Sequence, residues 1–232
     1  MDWRDALFLH WRVDAEAMRR VISPDLALDL YDGSAWIGIV AFRITGARLR
    51  GLPRFAALPP FNEINVRTYV RDAEKPGVWF LSLDAANTLA VWAGRTGLHL
   101  PYVHARIDGK WDGASCTYGS ERIARTTGAR FDATARIDST ARNTAPHSLE
   151  YWLAERYCFF TRDSHGRTLR GDVEHEPWPL YDATPAIAAN TLLTAANVVP
   201  FDDTPLAHAS PGVSTRAWPL RPARIATSSF QP

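Results

Sequence analysis

Residues 94–107 read GRTGLHLPYVHARI, and the second half of this segment alternates polar and apolar residues. The alternation has the two-residue period of a β-strand, with Tyr102, His104 and Arg106 on one face. A Gly-Arg turn and a proline come before this strand. The segment contains no lysine, and the whole chain has only two, so few amines are present for Schiff-base chemistry.

Residues 61–71, FNEINVRTYVR, show the same strand pattern. Isoleucine, valine and threonine side chains fall on one face, and Glu63, Asn65 and Arg67 fall on the other. At about 3.3 Å per residue, the polar side chains are spread over roughly 13 Å of strand. The two segments therefore predict two strands that each carry one polar face.

Short strands and tight turns recur along the rest of the chain. We expect strands over about 26–31, 35–44, 78–83, 110–118, 119–125, 130–137, 157–162 and 169–175, and helices over about 14–22, 87–95 and 148–156. Residues 46–60, rich in Gly, Pro and Arg, are interpreted as a loop. Asp108-Gly109 is typical of a hairpin turn, and Thr184-Pro185 is typical of a helix start, which predicts a helix to about residue 195.

This sequence of elements argues against alternating strand–helix–strand units. Many short strands with a few short helices favour one antiparallel barrel or strongly curved sheet, with the helices packed outside. We predict a mainly antiparallel α+β fold in a single domain over residues 1–232.

The composition excludes several classes of protein. Hydrophobic residues make up 46% of the chain and the net charge is +1, with both signs evenly spread, so neither nucleic acid nor an anionic membrane is an expected partner. The two cysteines have no metal-site spacing, and no signal peptide or membrane-length apolar run is visible. We expect a cytoplasmic protein without metal or cofactor.

A family resemblance is carried by segments from end to end of the chain: Phe8-Leu9-His10-Trp11, Asp32-Gly33, Trp36-Ile37-Gly38, Glu63 through Val70, Gly77-Val78-Trp79-Phe80, Glu155-Arg156-Tyr157, Pro177-Trp178-Pro179-Leu180 and Trp218-Pro219-Leu220. In these segments the chain resembles the YqjF-like family, bacterial proteins of unknown function in the acetoacetate decarboxylase-like superfamily. The resemblance implies a cone-shaped antiparallel β-barrel with one internal pocket, and it implies a homo-oligomer.

The resemblance to the decarboxylases themselves fails at the reactive amine. Their pattern runs Gly-Arg-Glu and then Gly-x-Pro-Lys-Lys, whereas here Gly94-Arg95 leads to Pro101-Tyr102-Val103. The Schiff-base lysine position therefore aligns with Tyr102, and a phenol with an ordinary pKa of about 10 forms no imine. An aromatic-x-Glu pattern resembles Phe61-Asn62-Glu63, which places Glu63 in the implied pocket. Schiff-base decarboxylase activity is not expected.

The polar strand faces supply the candidate site residues. If both faces look inward, the candidate catalytic residues are Glu63, Tyr102 and His104, since a carboxylate or imidazole moves protons once burial shifts its pKa. The candidate ligand-binding residues are Asn65, Arg67 and Arg106, since arginine binds carboxylate or phosphate through two parallel hydrogen bonds. If both faces look outward, they are ordinary solvated strand faces.

Three functional hypotheses remain open. The first is a small-molecule pocket protein that binds an organic acid or another small metabolite without imine chemistry. The second is a lyase, isomerase or hydrolase that transfers protons through Glu63, Tyr102 and His104. The third is a non-catalytic structural or interaction module whose interior is filled by side chains.

Overall fold

The computed structural model describes residues 1–48, 58–123 and 128–225. Most of the loop predicted at 46–60, and the end of the strand predicted at 119–125, lie outside these ranges. The strands are β1 (Asp2–Val13), β2 (Ala27–Leu28), β3 (Ala35–Thr45), β4 (Phe61–Arg71), β5 (Pro76–Ala85), β6 (Tyr102–Trp111), β7 (Ser115–Arg122), β8 (Arg130–Ala141), β9 (Cys158–Arg162), β10 (Thr168–His175), β11 (Tyr181–Asn190), β12 (Leu206–Ala217) and β13 (Arg221–Pro222). The helices are α1 (Ala15–Val21), α2 (Thr88–Gly97), α3 (Leu149–Ala154) and α4 (Leu192–Ala195).

The strands form one sheet that closes on itself. Its order is β13-β10-β9-β5-β6-β7-β8-β11-β12-β1-β3-β4-β2, and an additional pairing of β4 with β5 closes a ring of nine strands. A pairing of β10 with β12 closes a second circuit, which runs through β9. This second circuit and the ring have β12, β1, β3, β4 and β5 in common. All pairings are antiparallel except those of β5 with β6 and β9. The predicted mainly antiparallel fold with a few short helices is confirmed.

The inside of the nine-stranded ring is an apolar core. Its buried side chains come from strands all around the ring and include Leu9, Ile39, Ile64, Ile107 and Phe131. Each such side chain contributes about 2 kcal/mol when it leaves water. The opposite faces of β1, β3 and β4 therefore point into the second circuit, where apolar clusters and buried polar groups lie together.

Three predicted helices are present, and side chains cap them as expected. Asp14 accepts a hydrogen bond from the amide of Ala17 at 2.7 Å at the start of α1. Ser148 caps α3 in the same way, through the amide of Tyr151 at 3.2 Å. Each cap satisfies one of the backbone donors that a helix start leaves without a partner. No helix in the described ranges has the length and apolar character needed to span a membrane.

The predicted hairpin turn at Asp108-Gly109 is wrong. Strand β6 continues through these residues to Trp111, and the turn lies at Asp112-Gly113, where Gly113 has a φ of 90°. Asp112 accepts hydrogen bonds from the amide of Ser115 and from its hydroxyl, which fixes the turn. Gly109 serves packing instead, because a Cβ there would lie 2.7 Å from the Tyr118 ring.

The helix predicted from Thr184-Pro185 is also wrong. These residues lie within strand β11, which pairs with β8 and β12 and completes the ring, and only α4 remains of the predicted helix. Strand pairing has overridden the local signal for a helix start. The first strand predicted after α1, at 26–31, is reduced to the two residues of β2.

Candidate functional site

The polar face of β4 is turned into the protein. Registry between neighbouring strands sets Arg67 beside Gly38 on β3, and Gly38 beside His10 on β1. Two residues along β4, Asn65 lies beside Val40, and two further along, Glu63 lies beside Phe42. Directly paired residues point to the same side of a sheet. The polar residues of β4 therefore share the face that lies opposite the ring core.

Glu63 and Tyr102 form a buried hydrogen-bonded pair. The Tyr102 hydroxyl donates to a carboxylate oxygen of Glu63 at 2.8 Å, and Glu63 is only 3% exposed. Strand β6 runs parallel to β5 at this point, with Tyr102 beside Leu83. This pairing brings the phenol to the polar face that carries Glu63 and Asn65. The structure thus joins two residues that lie 39 positions apart in the sequence.

The environment of this pair shifts both pKa values upward. Burial raises the pKa of Glu63 to about 7, although hydrogen bonds from Tyr102 and Asn65 lower it, and the Asp84 carboxylate raises it further. Burial, together with the neighbouring Glu63, raises the pKa of Tyr102 well above its usual value. Tyr102 therefore stays a neutral donor, while Glu63 gains or loses a proton near neutral pH.

Helix α2 holds Tyr102 in place through the Gly94-Arg95 pair. The Tyr102 ring packs so closely against α2 that a Cβ on Gly94 would lie 2.3 Å from it. The Arg95 guanidinium donates to the backbone carbonyl of Tyr102 at 2.7 Å. Gly94 and Arg95 of α2 therefore support Tyr102.

The other two polar residues of β6 lie outside the Glu63–Tyr102 contact. His104 is half-buried, and its Nε2 lies 3.3 Å from the Thr88 hydroxyl. Arg106 is exposed. Pairing between β5 and β6 ends at Ala85 and His104, so β5 does not run beside β6 beyond that point. The structure does not bring Arg106 to the polar face of β4.

Arg67 is held inside without an ionic partner among the described residues. It donates to the backbone carbonyl of Leu153 at 3.4 Å, and its guanidinium lies 5.8 Å from the centre of the Phe8 ring. Its Nε is buried and has no hydrogen-bond partner within the described ranges. No carboxylate of those ranges forms a salt bridge with Arg67, so Glu63 is not its counter-ion.

Two residues beside Arg67 escaped the sequence analysis. His10 is 1% exposed, and neither ring nitrogen has a partner in the part of the chain described. Burial lowers its pKa well below the usual value, and the nearby Arg67 lowers it further. Arg156 pairs with Asp29 at 2.6 Å and lies 4.8 Å from the centre of the Tyr69 ring. A histidine on the same strand face as Phe8, in an apolar strand, was the signal available for His10.

A second buried ion pair lies on the ring side of the sheet. Arg122 on β7 binds Asp84 on β5 at 2.9 Å and also donates to the Ser82 hydroxyl at 2.7 Å. Asp84 pairs with Ile64 and so faces away from Glu63. Burial raises the pKa of Asp84, whereas the hydrogen bond from Arg122 lowers it. This pair links two strands that are separated by β6.

A polar cleft lies apart from these residues, at one end of the ring. It has a volume of about 390 Å³ and is lined by residues that include Arg43, Asn62, Asn87 and Gly109. Asn62 precedes Glu63 on β4 and points to the other side of the strand. Glu63, Arg67 and Tyr102 do not line this cleft. In the described ranges, no three His, Cys, Asp or Glu side chains gather as a metal site would require.

Comparison with solved structures identifies the architecture as that of acetoacetate decarboxylase-like proteins. The enduracididine biosynthesis enzyme MppR, complexed with pyruvate, matches with a TM-score of 0.66 and 14% identity over 96% of this chain and 90% of that one. Acetoacetate decarboxylase from Legionella pneumophila matches with a TM-score of 0.63 and 9% identity, covering 99% and 88% of the two chains.

Sequence comparison then gives the family. The chain belongs to the DUF2071 family, whose model, described as an uncharacterized conserved protein, matches residues 1–214. It is similar to the uncharacterized protein YqjF of Bacillus subtilis (strain 168), with 38% identity over 219 residues that cover 94% of this chain and 90% of that protein. The family resemblance predicted from the sequence is confirmed.

Proposed function

We propose that the protein binds a small organic acid without imine chemistry. The acid would lie beside the polar face of β1, β3 and β4, which is the face opposite the ring core. The observation that carries this proposal is the guanidinium of Arg67, which lies inside the protein without a carboxylate partner among the described residues. Removing a guanidinium from water costs free energy unless an anion compensates it. A ligand carboxylate would supply that anion through parallel hydrogen bonds to Arg67.

The surroundings of Tyr102 support the presence of space for a ligand. Tyr102 is half-buried, so part of its surface remains accessible. Arg67 likewise keeps part of its surface accessible, although its Nε is fully covered. Both side chains can therefore be reached by a ligand. Asn65 lies between the two residues on the same face and would contact the middle of the ligand.

A calorimetric titration tests the proposal. Pyruvate is the first probe, because MppR, which shares the fold, is complexed with it, and butanoate is the second. Loss of a charge-assisted hydrogen bond costs about 1.5–3 kcal/mol, so Arg67→Gln should weaken binding by roughly 10- to 100-fold. Arg106→Gln removes an exposed arginine and should bind as the wild type does. The proposal would be overturned if the wild-type protein bound neither acid. It would also be overturned if Arg67→Gln bound the acids as tightly as the wild type does.

The Glu63–Tyr102 pair favours a second candidate function, proton transfer at the carbon next to a carbonyl. A carboxylate with a pKa of about 7 is suited to remove and return a proton at neutral pH. Once Glu63 has taken up the proton, it no longer requires the hydrogen bond from Tyr102, and the neutral phenol could donate instead to the developing enolate oxygen. His104 is half-buried beside Thr88 and would take part in proton transfer from the edge of this site.

Hydrogen exchange tests this candidate directly. In D2O, Glu63 would remove a methyl proton of pyruvate and return a deuteron to the same carbon, which proton NMR detects as loss of the methyl signal. The rate should change most steeply near pH 7 and should fall to the uncatalysed value in Glu63→Gln. Glu121→Gln, which alters an exposed glutamate on β7, is the matched control. If pyruvate binds but its methyl group does not exchange, this candidate is wrong; if neither occurs, the interaction-module hypothesis is favoured.

A further inference from the structure

We propose that His10, Gly38 and Arg67 together form the binding site for the ligand carboxylate, which we call the carboxylate seat. This inference builds on the proposed organic-acid function and assigns the atoms that would hold the acid. The three residues lie side by side on β1, β3 and β4, because His10 pairs with Gly38 and Gly38 pairs with Arg67. Adjacent strands are about 4.8 Å apart, so the backbones at His10 and Arg67 are separated by roughly 10 Å.

Gly38 makes room for the imidazole of His10. A Cβ on Gly38 would lie 2.8 Å from Cδ2 and 3.0 Å from Nε2 of His10, and 3.5 Å from the Tyr69 hydroxyl. The imidazole therefore lies over the glycine, in the gap that a side chain at position 38 would occupy. Any other residue at this position would have to displace the His10 ring.

Several polar atoms near this gap have no partner among the described residues, and most of these are donors. The ring nitrogens of His10, Nε of Arg67, an Nη of Arg156 and Nε1 of Trp36 are buried without a hydrogen-bond partner in the described ranges. Native proteins rarely leave buried polar groups unpaired, and each such group needs an explanation. The guanidinium and indole nitrogens only donate, so the complementary ligand group is an acceptor with several lone pairs, and the carboxylate of the proposed organic acid has this chemistry.

The charge state of His10 fits the same ligand. Burial lowers its pKa well below the usual value, and Arg67, His208 and Arg156 lower it further, so the ring is neutral. A neutral imidazole offers one N–H to the carboxylate and adds no second positive charge. Arg67 would supply the charge, and His10 would supply one directed hydrogen bond. The Tyr69 hydroxyl is already bound to the Leu153 carbonyl at 3.0 Å, which leaves Tyr69 to form a wall.

Two substitutions test the seat by different routes. His10→Leu removes both unpartnered nitrogens and keeps an apolar side chain in their place. Because apolar replacement of unpaired buried polar groups is neutral or stabilising, its melting temperature should equal or exceed that of the wild type, while pyruvate binding weakens by about tenfold. Gly38→Ala should weaken pyruvate binding at least as much, by pushing the His10 ring from its place.

Gly119→Ala is the matched control for the glycine substitution. Gly119 lies on β7, and a Cβ there would meet no atom within 4 Å, so pyruvate binding should not change. If Arg67→Gln loses pyruvate while His10→Leu and Gly38→Ala bind as the wild type does, the seat is wrong and the organic-acid function stands. If the wild-type protein binds neither pyruvate nor butanoate, the organic-acid function itself fails. A lower melting temperature of His10→Leu with unchanged binding would show a purely structural role and would also overturn the seat.

Discussion

Glu63 makes the stability of the protein depend on pH. Its pKa is about 7 in the folded protein and 4.5 in an ordinary exposed glutamate, so the folded state holds the proton more tightly. The free energy of unfolding should therefore fall as the pH rises from about 4.5 to about 7, and the loss should be complete above that range. At roughly 1.4 kcal/mol for each pKa unit, the loss amounts to about 3 kcal/mol.

The variant Glu63→Gln should remove this loss, because its side chain has no charge to bury. Relative to the wild type, its free energy of unfolding should rise by about 3 kcal/mol between pH 4.5 and pH 8. Urea unfolding at a series of pH values measures the difference, with Glu121→Gln, an exposed position, as the control. A difference between Glu63→Gln and the wild type that stays constant with pH would show that Glu63 does not titrate in this range.

The alternation of residue types could predict part of the site but not its neighbours. It placed Glu63, Asn65 and Arg67 on one face, because the direction of a strand side chain follows from its position alone. His10 and Gly38 join Arg67 only because β1, β3 and β4 are adjacent, and a single sequence does not specify which strands pair. The exposure of Arg106 could not be predicted for the same reason, because it depends on where the pairing of β6 with β5 ends.

At the scale of elements, helix α2 should tolerate alanine at one glycine and not at the other. Gly94 lies against the Tyr102 ring, where a Cβ would approach to 2.3 Å, whereas a Cβ on Gly97 would meet nothing within 4 Å. Gly94→Ala should lower the free energy of unfolding by about 1–3 kcal/mol through overpacking. Gly97→Ala should be neutral or should add up to about 1 kcal/mol, because alanine favours helix.

Thermal unfolding compares these two variants, and a pH titration of Glu63 distinguishes their effects on the site. Displacement of the Tyr102 ring would weaken its hydrogen bond to Glu63, which lowers the pKa of that carboxyl in the wild type. The pKa of Glu63 should therefore rise in Gly94→Ala and stay unchanged in Gly97→Ala. Equal stability of the two variants would mean that α2 does not support Tyr102.

The buried pair of Asp84 and Arg122 should be the strongest side-chain link between β5 and β7. Removing one partner of a buried ion pair leaves an uncompensated charge, so Asp84→Asn should lower the free energy of unfolding by about 3–5 kcal/mol. Asp132→Asn breaks the exposed Arg130–Asp132 contact and should cost at most about 1 kcal/mol. Urea unfolding of both variants is the measurement, and similar losses would contradict the importance of the buried pair.

Turn and helix signals in the sequence failed where ring packing competed with them. Two Asp-Gly pairs lie four residues apart, and the chain turns at the second, where Asp112 binds Ser115, while Gly109 of the first packs against Tyr118. Thr184-Pro185 carries the local signature of a helix start, yet ring closure requires β11 at this point. Caps such as Asp14 were predictable, because a cap depends on residues within one turn of helix.

At the scale of the whole molecule, the nine-stranded ring and the second circuit have five strands in common. Strands β12, β1, β3, β4 and β5 belong to both. Of these, β1, β3 and β4 each present one face to the ring core and the other to the polar site. Strand β1, near the start of the chain, pairs along most of its length with β12, near the end. Within the described ranges, strand pairing connects the early and late parts of the chain into one sheet, and a single domain over residues 1–232 stays a prediction.

We therefore expect residues 1–232 to unfold in one cooperative transition, with a calorimetric enthalpy equal to the van't Hoff enthalpy. Ile39→Ala opens the ring core and Leu153→Ala opens the apolar cluster on the site side, and each should cost about 2–5 kcal/mol. Because both faces belong to the same strands, each variant should shift the whole calorimetric transition to lower temperature. Two separate transitions, each responding to only one of the variants, would show that the ring and the site side fold as independent units.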